Sequence, residues 1–177
     1  MSPPSFTPPS PTTLVLGGAR SGKSSFAESL LDGAPALYLA TGQALDGEMA
    51  ERIEHHRRRR GSDWSTLEEP LELAETLEGV MRPDRPVLVD CLTLWISNLM
   101  HADRDVDAAT ARLCTVLGAA TGPVVLVSNE VGLGLVPDNR LARDFRDHQG
   151  RVNQRVAAIC AKVVFVAAGL PLVLKEP

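Results

Sequence analysis

Apolar residues fall along this chain in short unbroken runs separated by longer amphipathic stretches. The runs are Leu14-Val15-Leu16, 36–40, 86–90, 124–128 and 163–167. Each has strand length and little polar alternation, the pattern of a strand buried on both faces. Between them apolar positions recur at helical spacing, as in Phe26, Ala27, Leu30 and Leu31, and in Leu71, Leu73, Ala74 and Leu77. The stretches 92–99, 106–117 and 156–161 read the same way, whereas 48–60 is made of strong helix formers with only a thin apolar stripe at Met49 and Ile53. A weaker run at 64–67 predicts a short edge strand ended by Glu68-Glu69-Pro70, and 170–175 predicts a last strand returning antiparallel across Gly169. Strands and helices alternate, so the expected fold is α/β: a mainly parallel sheet with helices on both faces and a C-terminal antiparallel strand.

The polar positions place chemistry on that frame. After the first predicted strand, Gly17-Gly18-Ala19-Arg20-Ser21-Gly22-Lys23-Ser24 matches G-x-x-x-x-G-K-[ST], and a helical pattern follows at once. Strand, loop and helix in that order make a phosphate-binding loop. Glycines let backbone N–H groups turn toward phosphate oxygens, the helix start adds positive dipole character, Lys23 neutralises outer phosphate charge, and the Ser24 hydroxyl can ligate Mg²⁺. A nucleoside triphosphate is the expected ligand. Ligands of parallel sheets collect at the carboxyl ends of strands, which brings Thr41, Gly42 and Gln43 to the same crevice. The run Pro86-Val-Leu-Val-Asp90 has the form of a strand whose terminal carboxylate holds Mg²⁺, directly or through water. Asp90 also precedes a helical pattern and can serve as its N-cap. The loop 129–137 is polar where it leaves its strand and apolar with two glycines afterwards, which suits a segment that covers substrate.

Composition narrows the picture. With 177 residues and 44% hydrophobic content the chain is long enough for one well-buried domain, expected over 13–177. The Pro/Ser/Thr-rich start, 1–12, has neither a basic nor an apolar segment of a secretory signal and reads as a disordered tail. A net charge of −4 with both signs interspersed gives no sign of nucleic-acid binding. Cys91, Cys114 and Cys160 are widely spaced in apolar surroundings and read as buried thiols of a cytoplasmic protein. No apolar run approaches the roughly 20 residues of a membrane span.

The one concentrated charge run has to be explained locally. Glu51-Arg-Ile-Glu-His-His-Arg-Arg-Arg-Arg60 puts two histidines and five arginines, four of them consecutive, on a polar helix. Arginine forks suit phosphate oxygens, and a neutral imidazole can attack an α-phosphoryl group to form a phosphoramidate. Successive helical residues point about 100° apart, so at most one of His55 and His56 faces a given phosphate.

Taken together the motifs resemble the bifunctional adenosylcobinamide kinase/adenosylcobinamide-phosphate guanylyltransferase family of cobalamin biosynthesis. The resemblance runs from Leu14 to about Leu174. It is carried by the phosphate loop, Tyr38-Leu-Ala-Thr41, Asp46-Gly-Glu-Met-Ala-Glu-Arg-Ile-Glu-His-His-Arg57, Trp64 with Glu68, and Asp90-Cys-Leu-Thr93 with Asn98-Leu99. Ser128-Asn-Glu-Val-Gly132, and 139–147 with Gly150-Arg-Val-Asn-Gln154, complete it. The resemblance implies a RecA-like P-loop fold and a homo-oligomer, a trimer. It also implies two reactions: phosphorylation of the aminopropanol hydroxyl of adenosylcobinamide by ATP or GTP, then transfer of GMP from GTP to adenosylcobinamide phosphate through a guanylylated histidine. The family pattern R-I-x-x-H-R falls on Arg52, Ile53, His56 and Arg57, making His56 the expected nucleophile and His55 the fallback. It places GTP contacts on the phosphate loop, on Thr41, Gly42 and Gln43, on Arg59, Arg60, Gly61 and Ser62, and on Glu68 and Asp90. Glu68 would read the guanine edge, and Ser24 and Asp90 would hold Mg²⁺. Asn129, Glu130, Arg140 and Arg143 are candidate corrinoid or phosphate contacts. The alternative is a monofunctional small-molecule P-loop kinase, which needs the phosphate loop but not His56.

Overall fold

The structure is a computed structural model that describes residues 11–31, 33–42 and 63–177. The start of the expected tail and the whole of the basic helix at 48–60 lie outside the described residues. Among those described, seven strands form one sheet: β1 (Thr12–Gly17), β2 (Ala36–Ala40), β3 (Trp64–Glu68), β4 (Val87–Asp90), β5 (Val124–Asn129), β6 (Lys162–Ala167) and β7 (Leu170–Lys175). Their order is β3-β2-β4-β5-β1-β6-β7. Every neighbouring pair is parallel except β6 and β7, which run antiparallel. The predicted edge strand, β3, is indeed at one edge, and the predicted antiparallel return, β7, is at the other. β1 starts at Thr12, one residue before the expected domain start, because Thr12 pairs with Val124 and its hydroxyl accepts from the Ala161 amide.

The unbroken apolar runs bury both faces. Leu14, Leu16, Leu37, Leu39, Val87, Val89 and Leu126 point into one core, which α2 (Leu73–Val80), α3 (Leu92–His101), α4 (Val106–Gly118) and α5 (Arg140–Ile159) cover. Val15, Tyr38, Leu88, Val125, Val127 and Val164 point into the other, where Ala27 of α1 (Lys23–Ser29) packs with Leu31. Each fully buried Leu or Val contributes about 1.5–3 kcal/mol, so the central strands are the most strongly held part of the molecule. Trp95 fills the first core and donates its indole N–H to the Leu71 carbonyl, so its one polar group is satisfied.

The helical stretch read at 156–161 is the end of a longer helix of 20 residues, Arg140–Ile159. Asn139 caps it by accepting from the Ala142 amide, and Gln149, Val152, Asn153 and Val156 bury one face at i, i+3, i+4 and i+7. Two of those four inward residues are amides, and they bear on the site.

Candidate active site

The phosphate loop joins β1 to α1 as its spacing predicts. A Cβ added to Gly17 would lie 2.5 Å from Ser21 Oγ and 2.6 Å from the Val166 carbonyl oxygen, so only glycine fits where the chain leaves the sheet. Gly22 takes the left-handed conformation at φ 93° and begins α1; a Cβ there would stand 3.2 Å from Gly169 Cα. Within the loop the Ser21 amide donates to Gly18 O at 3.3 Å, and the Gly169 amide of the β6–β7 turn donates to Ser21 O at 2.8 Å. Lys23 Nζ donates to Gly18 O at 3.1 Å, which holds the ammonium over the loop it belongs to. Gly17, Gly18, Ala19, Arg20, Ser21, Gly22, Lys23 and Ser24 thus occupy one compact turn.

Two strands away, β4 ends in Asp90. Parallel register sets Glu68, Ala40 and Asp90 in a row across β3, β2 and β4. Asp90 Oδ2 accepts from Tyr38 Oη at 3.1 Å, which fixes the carboxylate on its strand end. The peptide between Asp90 and Cys91 is cis. The N-cap residue of α3 is Cys91, with no side-chain capping bond, so the Asp90 carboxylate is not used to cap that helix. Thr41 is wholly buried; its hydroxyl donates to Cys91 O at 2.7 Å and accepts from the Cys91 amide at 2.9 Å. Asn98 Nδ2 donates to Thr41 O at 2.8 Å and to Pro70 O at 3.1 Å, tying the ends of β2 and β3 to α3. Burial, with the Asp90 charge adding to it, pushes the Cys91 thiol up to about 11, so it stays neutral beside the site. Glu68 is exposed at the end of edge strand β3. It lies four strand positions from β1, roughly 19 Å at ordinary sheet spacing, within reach only of the far end of a nucleotide held on the loop.

Between β4 and β1 runs β5, and Asn129 at its end is in register with Gly17. Side chains from two helices clamp the Asn129 backbone: its amide donates to Thr93 Oγ1 at 2.9 Å and its carbonyl accepts from Asn153 Nδ2 at 3.0 Å. The next amide, Glu130, donates to Gly17 O at 3.0 Å. Behind the clamp, Ser128 Oγ donates to Asn153 Oδ1 at 2.7 Å, and Gln149 Nε2 donates to both Ser128 Oγ and Asn153 Oδ1 at 2.9 and 3.0 Å. Asn129 Oδ1 is buried and has no hydrogen-bond partner among the described residues, which leaves an acceptor at the centre of the carboxyl edge.

The remaining candidates divide. Glu130 Oε1 accepts from the Gly132 amide, and Arg143 donates to the carbonyls of Pro137 and Asp138, so both brace the loop 130–138. Arg140 pairs with Asp144 at 3.5 Å, the i, i+4 arrangement of a solvated helix. Gln43, His55, His56, Arg59, Arg60, Gly61 and Ser62 lie outside the described residues. A cavity of about 380 Å³ opens among Met100, Arg104, Val106, Asp147 and His148, but it contains no residue of the phosphate loop, nor Asp90 or Glu68. Sequence reasoning assigned no role to Tyr38, Thr93, Asn98, Gln149 or Asn153. The available signal was polarity at positions where the helix or strand period demands an apolar residue, which in a folded chain means a satisfied buried hydrogen bond.

The cobinamide kinase/cobinamide phosphate guanyltransferase family matches residues 13–174, which include every site element above. The chain belongs to this family. It is 50% identical to the bifunctional adenosylcobalamin biosynthesis protein CobP of Pseudomonas aeruginosa PAO1, over 93% of this chain and 98% of that protein. It is 44% identical to the protein of the same description, CobU, of Escherichia coli K12, over 92% and 98%. The family member described here is therefore a bifunctional cobinamide kinase and cobinamide-phosphate guanylyltransferase of adenosylcobalamin biosynthesis, using ATP or GTP. Among solved structures, an ATPase from the type III secretion system of pathogenic bacteria superposes with TM-score 0.54 at 12% identity, over 92% of this chain and 56% of that one. A KaiC-like protein of Pyrococcus horikoshii OT3 gives 0.52 at 10%, over 95% and 80%. At such identities the likeness concerns fold alone, a RecA-like P-loop core. Among the described residues no helix is long and apolar enough to cross a membrane.

Proposed function

We propose that both reactions of this cobinamide kinase/guanylyltransferase use one triphosphate site on the loop 17–24, with His56 as the guanylylated nucleophile. The observation that carries the reading is that Gly17, where the phosphate loop begins, Asn129 and Asp90 stand at the carboxyl ends of the adjacent strands β1, β5 and β4. In the kinase step the cobinamide hydroxyl oxygen attacks the γ-phosphorus, the bond to the β,γ-bridging oxygen breaks, and the nucleoside diphosphate leaves. Lys23 and the loop amides hold the phosphates in line, and position and charge neutralisation supply the rate. In the guanylyl step an imidazole nitrogen of His56 attacks the α-phosphorus of GTP and pyrophosphate leaves. A phosphate oxygen of cobinamide phosphate then attacks that phosphorus, the P–N bond breaks, and the imidazole is restored.

Ser24 and Asp90 offer a hydroxyl and a carboxylate, hard oxygen donors that fit Mg²⁺ completed by water and phosphate oxygens. Bound there, Mg²⁺ would neutralise phosphate charge. Glu68 accepts from guanine N1–H and its amino group, while Thr41 and Gly42 shape the floor between Glu68 and Asp90. The free thiols Cys91, Cys114 and Cys160 agree with a cytoplasmic enzyme, and the exposed apolar edge strand β7 agrees with a homo-oligomer, a trimer as in the family resemblance.

Intact-mass analysis after incubation with GTP and Mg²⁺ tests the reading. The expected result is an acid-labile, base-stable GMP adduct in the wild type and in His55→Ala, absent in His56→Ala. GTP binding without any adduct would leave the kinase alone as the better account.

A further inference from the structure

The loop that follows Asn129 presents apolar side chains to solvent instead of burying them. Leu133 is 84% exposed, Leu135 97% and Val136 63%, and Leu141 in the first turn of α5 is 61% exposed. Such a cluster is costly to leave in water and marks a surface that something covers. It is not a loose segment. Its start is fixed by the Glu130 amide on Gly17 O and the Gly132 amide on Glu130 Oε1, and its end by Arg143 on the carbonyls of Pro137 and Asp138. Residues 131–137 carry no charged side chain. Among the described residues no backbone hydrogen bond is made by 133–136, which leaves their N–H and C=O groups open.

We infer that 131–137 together with Leu141 form the platform for the corrin macrocycle of the cobinamide substrate. The inference rests on the kinase activity of the family and deepens it. Three features select this occupant. The loop leaves from the residue hydrogen-bonded to Gly17, so a molecule lying on it borders the triphosphate site, where the acceptor hydroxyl has to arrive. The periphery of a cobinamide is a broad array of methyl groups and primary-amide arms, without the anionic charge that an arginine cluster would read. Exposed leucines match the methyl groups, and the open backbone groups match the amides.

The test is steady-state kinetics of the kinase with adenosylcobinamide as acceptor, on wild type, Leu135→Ser and Leu133→Ser/Leu135→Ser, with sedimentation velocity of each. Activity of the wild type establishes the parent reading independently of the platform. The expected result is a KM for adenosylcobinamide raised about tenfold or more in the double variant, at unchanged KM for GTP and unchanged sedimentation. An unchanged acceptor KM overturns the platform. So does a lowered sedimentation coefficient, which would assign these leucines to a contact between copies of the chain.

Discussion

Thr41 and Cys91 hold each other through a reciprocal pair of hydrogen bonds, the threonine hydroxyl donating to the cysteine carbonyl and accepting from its amide. One buried side chain thereby satisfies both backbone groups at the point where the chain turns from β4 into α3, next to Asp90. Thr41→Val keeps shape and leaves the Cys91 amide unpaired, while the Cys91 carbonyl keeps only the Trp95 amide as donor. The expected loss is about 1–3 kcal/mol in urea denaturation, with weaker kinase activity because Asp90 loses its fixed neighbour. A variant as stable as wild type would show that water replaces the hydroxyl.

Asp90→Asn separates charge from structure. The amide oxygen still accepts from Tyr38, so the melting temperature should shift by no more than about 2 °C. Loss of the carboxylate charge is expected to lower kinase kcat/KM by about 10²–10³-fold. A decrease under threefold would remove Asp90 from the phosphate machinery.

Asn153 is the centre of the buried amide network and the partner of the Asn129 carbonyl. Asn153→Leu removes the acceptor of Ser128 Oγ, one of the two bonds from Gln149 Nε2 and the side-chain donor to Asn129 O, leaving only the Gln149–Ser128 bond of the network. A destabilisation of roughly 2–4 kcal/mol is expected, with nucleotide affinity falling as the end of β5 loosens. Asn153→Asp, which keeps the acceptor, should recover part of the stability; equal losses in both variants would argue against the network account.

Cys160 gives the pH dependence a sign. Burial pushes its thiol up to about 12, with Thr12 and Lys175 opposing that shift. The fold holds the neutral form, so the contribution is complete below pH 9, where the unfolded thiol also keeps its proton. Above pH 9 the unfolded chain ionises and the native one does not, and stability declines by up to about 1.4 kcal/mol per pH unit. Wild type should lose about 1.5 kcal/mol more than Cys160→Ala between pH 9 and 10.5 in denaturant titrations. Parallel curves would place the thiol in contact with water.

Much of the fold was legible because each apolar run is long enough to be a strand and each helical stretch carries its own period. β3, with one half-buried and four exposed positions, was the weakest signal and still lay where the turn residues Glu68-Glu69-Pro70 bounded it. The phosphate loop was equally plain, since Gly17 and Gly22 are glycines for reasons local to the turn: a forbidden Cβ and a left-handed φ. The two roles open to Asp90 were not separable in sequence; the structure assigns the N-cap position to Cys91 and turns the carboxylate toward Tyr38, 52 residues earlier in the chain.

By itself, then, the sequence determined the alternation of elements, the phosphate loop and the family, all of which rest on residues close to one another in the chain. Only the tertiary structure decided that β5 lies between β1 and β4, and hence that Asn129 stands between the start of the phosphate loop at Gly17 and Asp90. It alone showed that Thr41, Thr93, Asn98 and Asn153 hold backbone groups between 24 and 57 positions away. Periodicity reports which face of an element is buried. Strand order and the partners of buried polar groups depend on how distant segments pack, and no local pattern carries that information.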